Sequence, residues 1–106
     1  MKFDIESTLK SMVSAATDSA GTDLKEVKDT AQQFFEMNKA RYGKLVTYRI
    51  SGDIDQADFE SRMEDEKKML EAQLNTLAII SKIMAQNAAN AAIDVLKNAV
   101  QLALKL

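Results

Sequence analysis

Asp53, Asp55 and Glu64 fall at positions 1, 3 and 12 of the twelve-residue pattern by which an oxygen-lined loop holds calcium, directly after a Ser-Gly break at 51–52. The pattern fails in between. Position 5 should be an oxygen ligand and is Ala57, position 6 should be the turning glycine and is Asp58, and an apolar position is Glu60. The same residues are better suited to starting a helix. With Asp55 as N-cap, Asp58 takes the third helical position and Asp53 lies just outside, so all three carboxylates sit at the positive end of the helix dipole. Ile54 before the cap and Phe59 at the fourth helical position form a hydrophobic staple that sets the entry angle of the chain. Asp55, Ile54 and Phe59 are therefore read as cap and staple, and no metal or cofactor is expected.

Other arrangements that could do chemistry are sparse. Glu60 and Glu64 share a helix face, but catalytic carboxylates need a partly apolar cleft that separates their pKa values, and these lie in the most charged part of the chain. A di-iron bundle needs Glu-x-x-His motifs, and the sequence has no histidine. No cysteine is present for thiolate or disulfide chemistry, the serines have no histidine to activate them, and Gly21, Gly43 and Gly52 form no phosphate loop. We expect no catalytic residues and no enzyme.

Residues 38–49, NKARYGKLVTYR, interleave Lys39, Arg41, Lys44 and Arg49 with Tyr42 and Tyr48 and contain no acid. Basic residues between aromatics can bind nucleic acid. Cations are also favoured at a helix C-terminus, and the acidic start of the next helix lies just across the turn. These six residues form a candidate partner surface. Nucleic acid itself is not expected, because a formal charge of −2 supplies no global attraction.

Positioning these groups falls to helices. A chain of 106 residues is one domain by length, and 46% apolar with 28% charged residues makes it globular rather than disordered. Absence of proline, together with abundant Ala, Leu, Lys, Glu, Gln and Met, favours long uninterrupted helices. The first is expected over about 4–20, with Ile5, Leu9, Met12, Val13, Ala16 and Ala20 on one face. Gly21 should stop it, and Thr22 should cap a second helix over 23–50, in which KLVTYRI (44–50) is kept helical for want of a partner strand. A third should run unbroken over 56–105, with QNAAN (86–90) the natural place for any bend. Pairs Asp58–Arg62 and Glu64–Lys68 have the spacing that supports a helix. The turn into this helix resembles the Gly-x-Ile-x-x-x-x-Phe start of short oligomerising helical modules, here Gly52, Ile54 and Phe59.

The last helix changes character along its length. Beyond residue 72 its one acid is Asp94, and Ile79, Ile83, Ile93, Leu96, Val100 and Leu104 add a second apolar face to the seam traced by Leu70, Leu74, Leu77, Ile80, Met84, Ala88, Val95, Ala99 and Leu102. Helices of such lengths give an all-α, elongated hairpin or three-helix arrangement, too thin to enclose a core. Exposed apolar surface of that extent is an aggregation hazard. The seam is accordingly expected to be an oligomer interface, the bundle being completed by a second copy, with a dimer the simplest form and another helical protein the alternative partner. The six methionines suit core filling. The stretch AAIDVLKNAVQLALKL (91–106) also resembles an interfacial membrane helix, but its amides and Asp94 suit protein contacts better, and no membrane partner is expected. The apolar runs are too short to span a bilayer, and the first thirty residues contain no secretory signal pattern.

Overall fold

A helix of about fifty residues would be roughly 75 Å long and would leave most of its apolar face in water. The chain avoids this by folding back. The computed structural model describes residues 3–20, 25–77 and 79–105, and within them the expected third helix is two, α4 (Gln56–Leu74) and α5 (Lys82–Lys105). Three others precede them: α1 (Ile5–Ser19), α2 (Lys25–Met37) and α3 (Lys39–Ser51). The described residues contain no strand, so the protein is all-α, and 44–50 is helical. Its extents of 41 × 23 × 21 Å replace the elongated hairpin expected from the sequence with a closed bundle.

Local chemistry explains most boundaries. Asp4 caps α1 by accepting from the Ser7 N–H at 3.3 Å, and Asp55 caps α4 by accepting from the Asp58 N–H at 2.8 Å. Gly52 closes α3 in the left-handed region, at φ 87°, where a side chain would be strained. The expected Gly21 stop and Thr22 cap lie outside the described residues. The second expected helix is divided at Asn38, whose side-chain and backbone N–H groups both donate to the Phe34 carbonyl, at 2.8 and 3.1 Å. Between α4 and α5, Thr76 Oγ1 donates to the Gln73 carbonyl at 2.7 Å and Ser81 Oγ accepts from the Met84 N–H at 3.1 Å. Two hydroxyls thus end one helix and begin the next. The stretch 86–90, where a bend was anticipated, is helical throughout.

The core runs through all five helices. Leu9, Met12, Val13 and Ala16 of α1 are buried, as are Val27, Phe34 and Phe35 of α2, Tyr42, Leu45 and Val46 of α3, and Phe59, Met63, Leu70 and Leu74 of α4. The most extensive pairing is between α1 and α5. There α5 buries Ala85, Ala88, Ala89 and Ala92, and α1 buries Ala16, with Ala20 just beyond its end also buried. Side chains this small let two helix backbones approach closely.

The seam anticipated as an oligomer interface is largely internal. Leu70, Leu74 and Ala88 are covered by the chain's own helices, and Leu77, Ile80 and Val95 pack half-buried against the core. Met84 and Ala99 are half-buried and Leu102 is exposed. Within α5 the buried residues are Ala85, Ala88, Ala89, Ala92, Ile93, Leu96, Val100 and Ala103; Ala88 of the expected stripe is among them, whereas Met84, Val95, Ala99 and Leu102 lie one residue before a buried position. A phase carried unbroken from α4 is lost over the non-helical residues 75–77 and 79–81, and each residue of error rotates a helix face by about 100°. The unfilled core that called for a second copy is filled by α1 and α4.

Candidate functional site

The acidic stretch at 51–64 is consumed by local structure. Asp55 is the α4 cap, Asp53 accepts from Ser51 Oγ at 3.0 Å, and Glu64 pairs with Lys67 at 2.8 Å. Hydrogen bonding and charge from Lys67 hold the exposed Glu64 carboxyl below its usual pKa. Glu60 accepts from Gln56 at 3.1 Å and reaches across to Lys97 of α5, also at 3.1 Å. Among the described residues no three acidic side chains converge. The staple positions are filled: Phe59 is buried and Ile54 packs half-buried on the core. The helical pairs anticipated for Asp58–Arg62 and Glu64–Lys68 give way to Glu64–Lys67 and to the interhelical Glu60–Lys97.

The basic segment is also drawn inward. Lys39 forms an ion pair with Glu6 of α1. Arg41 donates from Nε and from a terminal nitrogen to the two oxygens of Glu66, each at 2.7 Å. The Arg41 guanidinium lies 5.8 Å from the centroid of the Tyr42 ring, within cation–π range. Tyr42 is wholly buried, its ring 6.0 Å from that of Phe35. Arg49 donates to Gln56 at 3.0 Å across the turn. Of the six candidate partner residues, Lys44 and Tyr48 alone are exposed without a side-chain partner among the described residues. The set does not present a continuous basic and aromatic surface.

Glu66 is the residue that sequence reasoning missed. It is 4% exposed on α4, in the same stripe as Phe59, Met63, Leu70 and Leu74. That spacing of four, three, four and four residues was present in the sequence; a glutamate in an apolar stripe calls for a cation at its carboxylate, and Arg41 supplies it. The hydrogen bond to Glu66 raises the Arg41 pKa further. Burial first, and then the Glu66 charge, hold the Tyr42 phenol far above its usual pKa. The Tyr42 hydroxyl lies beside the Glu66 carboxylate but makes no well-formed hydrogen bond among the described residues.

No family model, no curated protein and no solved structure matches the chain.

Large apolar side chains remain on the outside. Ile79 and Ile83, at the corner between α4 and α5, are 54% and 67% exposed, and Leu102 near the far end of α5 is 64% exposed. Met37 and Met69 are open on the α2–α4 side. No helix among the described residues is long and apolar enough to cross a membrane, and most of the apolar face of α5 lies against the rest of the bundle. What the outer surface offers is helix, with isolated apolar knobs between charged and amide side chains.

Proposed function

We propose that this chain is a non-enzymatic helical protein that acts through protein–protein contacts, self-associating as an assembly subunit, adaptor or small chaperone. The observation that carries the reading is the exposed pair Ile79 and Ile83 beside a core that is already closed. Desolvating a large aliphatic side chain is worth about 1.5–3 kcal/mol, so a fold that leaves two of them outward at one corner gains from a partner there. The ionic side chains support the same reading, because caps and ion pairs occupy most of those that the sequence offered for chemistry. The interface proposed here is therefore the α4–α5 corner and not the internal stripe of Leu70, Leu74 and Ala88.

Light scattering over a concentration series tests it, at low and at high salt, for the parent chain and for Ile79→Asp with Ile83→Asp. Both positions are exposed, so the double variant should keep its helicity. A mass above the monomer that persists in high salt and falls to the monomer in the variant supports an apolar contact at this corner. A monomer at every concentration defeats self-association. An oligomer that the variant leaves intact moves the contact elsewhere.

A further inference from the structure

The sequence has six methionines and neither cysteine, histidine nor tryptophan, so thioethers are its main targets for a two-electron oxidant. The fold divides the five that lie among the described residues. Met12 and Met63 are 0% and 1% exposed, inside the core, and Met84 is half-buried. Met37 is 84% and Met69 44% exposed. These last two line one cleft of about 390 Å³ between α2 and α4, with the Phe34 ring and the amides of Gln33 and Gln73, and no charged side chain lines it.

We propose that, among the five methionines of the described residues, Met37, followed by Met69, is the site at which this protein takes oxygen from peroxide-class oxidants, so that the modification falls first on the α2–α4 face. The step balances without a further reactant. A sulfur lone pair attacks one peroxide oxygen, the S–O bond forms as the O–O bond breaks, and the proton carried on the transferred oxygen passes to the departing hydroxide, which leaves as water. Sulfur loses two electrons and the peroxide gains them. The product is a polar, chiral sulfoxide in place of a flexible apolar side chain. Two of them at one uncharged cleft reverse the character of that face. Met12 and Met63 keep their thioethers, so the packing of the core is untouched. The inference stands whether or not the protein self-associates.

Graded hydrogen peroxide on the folded protein, peptide mapping by mass spectrometry and parallel circular dichroism make the test. Met37 should acquire oxygen first and Met69 next, each several-fold faster than Met12 and Met63, with helicity unchanged. In denaturant the four rates should converge. Oxidation of Met12 or Met63 in the folded protein as fast as Met37 overturns the proposal, and so does loss of helicity when Met37 and Met69 alone carry oxygen. A Met37→Leu variant supplies the second check: Met69 should become the leading site of the remaining three, and a shift to Met12 or Met63 instead overturns the proposal.

Discussion

Both oxygens of the Glu66 carboxylate on α4 are held by one guanidinium, that of Arg41 on α3, through two hydrogen bonds of 2.7 Å. The pair is asymmetric. The Glu66 side chain is 6% exposed and that of Arg41 41%, so the carboxylate depends on its partner for solvation while the guanidinium still meets water.

The asymmetry predicts unequal costs for removing either member. Arg41→Met should destabilise by about 2 kcal/mol, less than the 3–5 of a fully buried pair because the cation is partly solvated. Glu66→Gln should cost about 1 kcal/mol, since the amide still accepts from Arg41. Replacing both together, as Arg41→Met with Glu66→Leu, should restore most of the loss. Urea midpoints at unchanged m-value read all three, and equal costs for the two single variants would show the carboxylate to be better solvated than its burial implies.

Tyr42→Phe should stabilise the protein by up to about 1 kcal/mol, because it deletes a buried hydroxyl with no well-formed hydrogen bond among the described residues and keeps the ring against Phe35. The phenol has a second signature. Its native pKa is raised above the unfolded value near 10, so its contribution to stability is complete below that pH and is lost progressively as pH rises above it. In a Tyr48→Phe background, tyrosinate absorbance should develop together with loss of helicity. Ionisation near pH 10 with the helices intact would refute the assignment.

The glycines of α3 should respond oppositely to alanine. Gly52 has φ 87°, and Gly52→Ala should cost about 1–2 kcal/mol although open space surrounds the new methyl. Gly43 lies within the helix with nothing near an added Cβ, and Gly43→Ala should stabilise by about 0.5–1 kcal/mol. Thermal unfolding of the two variants against the parent separates backbone strain from steric contact.

Ala88→Leu should cost about 1–3 kcal/mol, because it adds three carbons to a fully buried position in α5. Leu102→Ala, at an exposed position of the same helix, should change stability by less than about 0.5 kcal/mol. If the two substitutions prove alike, the buried face of α5 is misassigned.

Signals confined to a few residues were legible in the sequence. Asp55 and Phe59 play the parts expected of cap and buried staple residue, Gly52 ends a helix, and the face of Leu9, Met12, Val13 and Ala16 is the buried face of α1. What depends on distant partners was not legible. No glycine or proline marks the break between α4 and α5; its hydroxyl caps at Thr76 and Ser81 are weak signals until the return of α5 along the bundle rewards them. Once that break was missed, Met84, Val95, Ala99 and Leu102 were each placed one residue off a buried position, while Ala88 lies on the buried face. Arg41 and Lys39 looked like an exposed basic patch because Glu66 and Glu6, their partners, lie 25 and 33 residues away.

The principal pairing of α1 with α5 has a consequence for synthesis. The first helix leaves the ribosome long before the last, and at about 5–20 residues per second several seconds separate them. Throughout that interval the face of α1 destined for α5 lacks its cover. Closure of the fold is therefore a late, long-range event, and the newborn chain is most vulnerable to misassociation before α5 arrives.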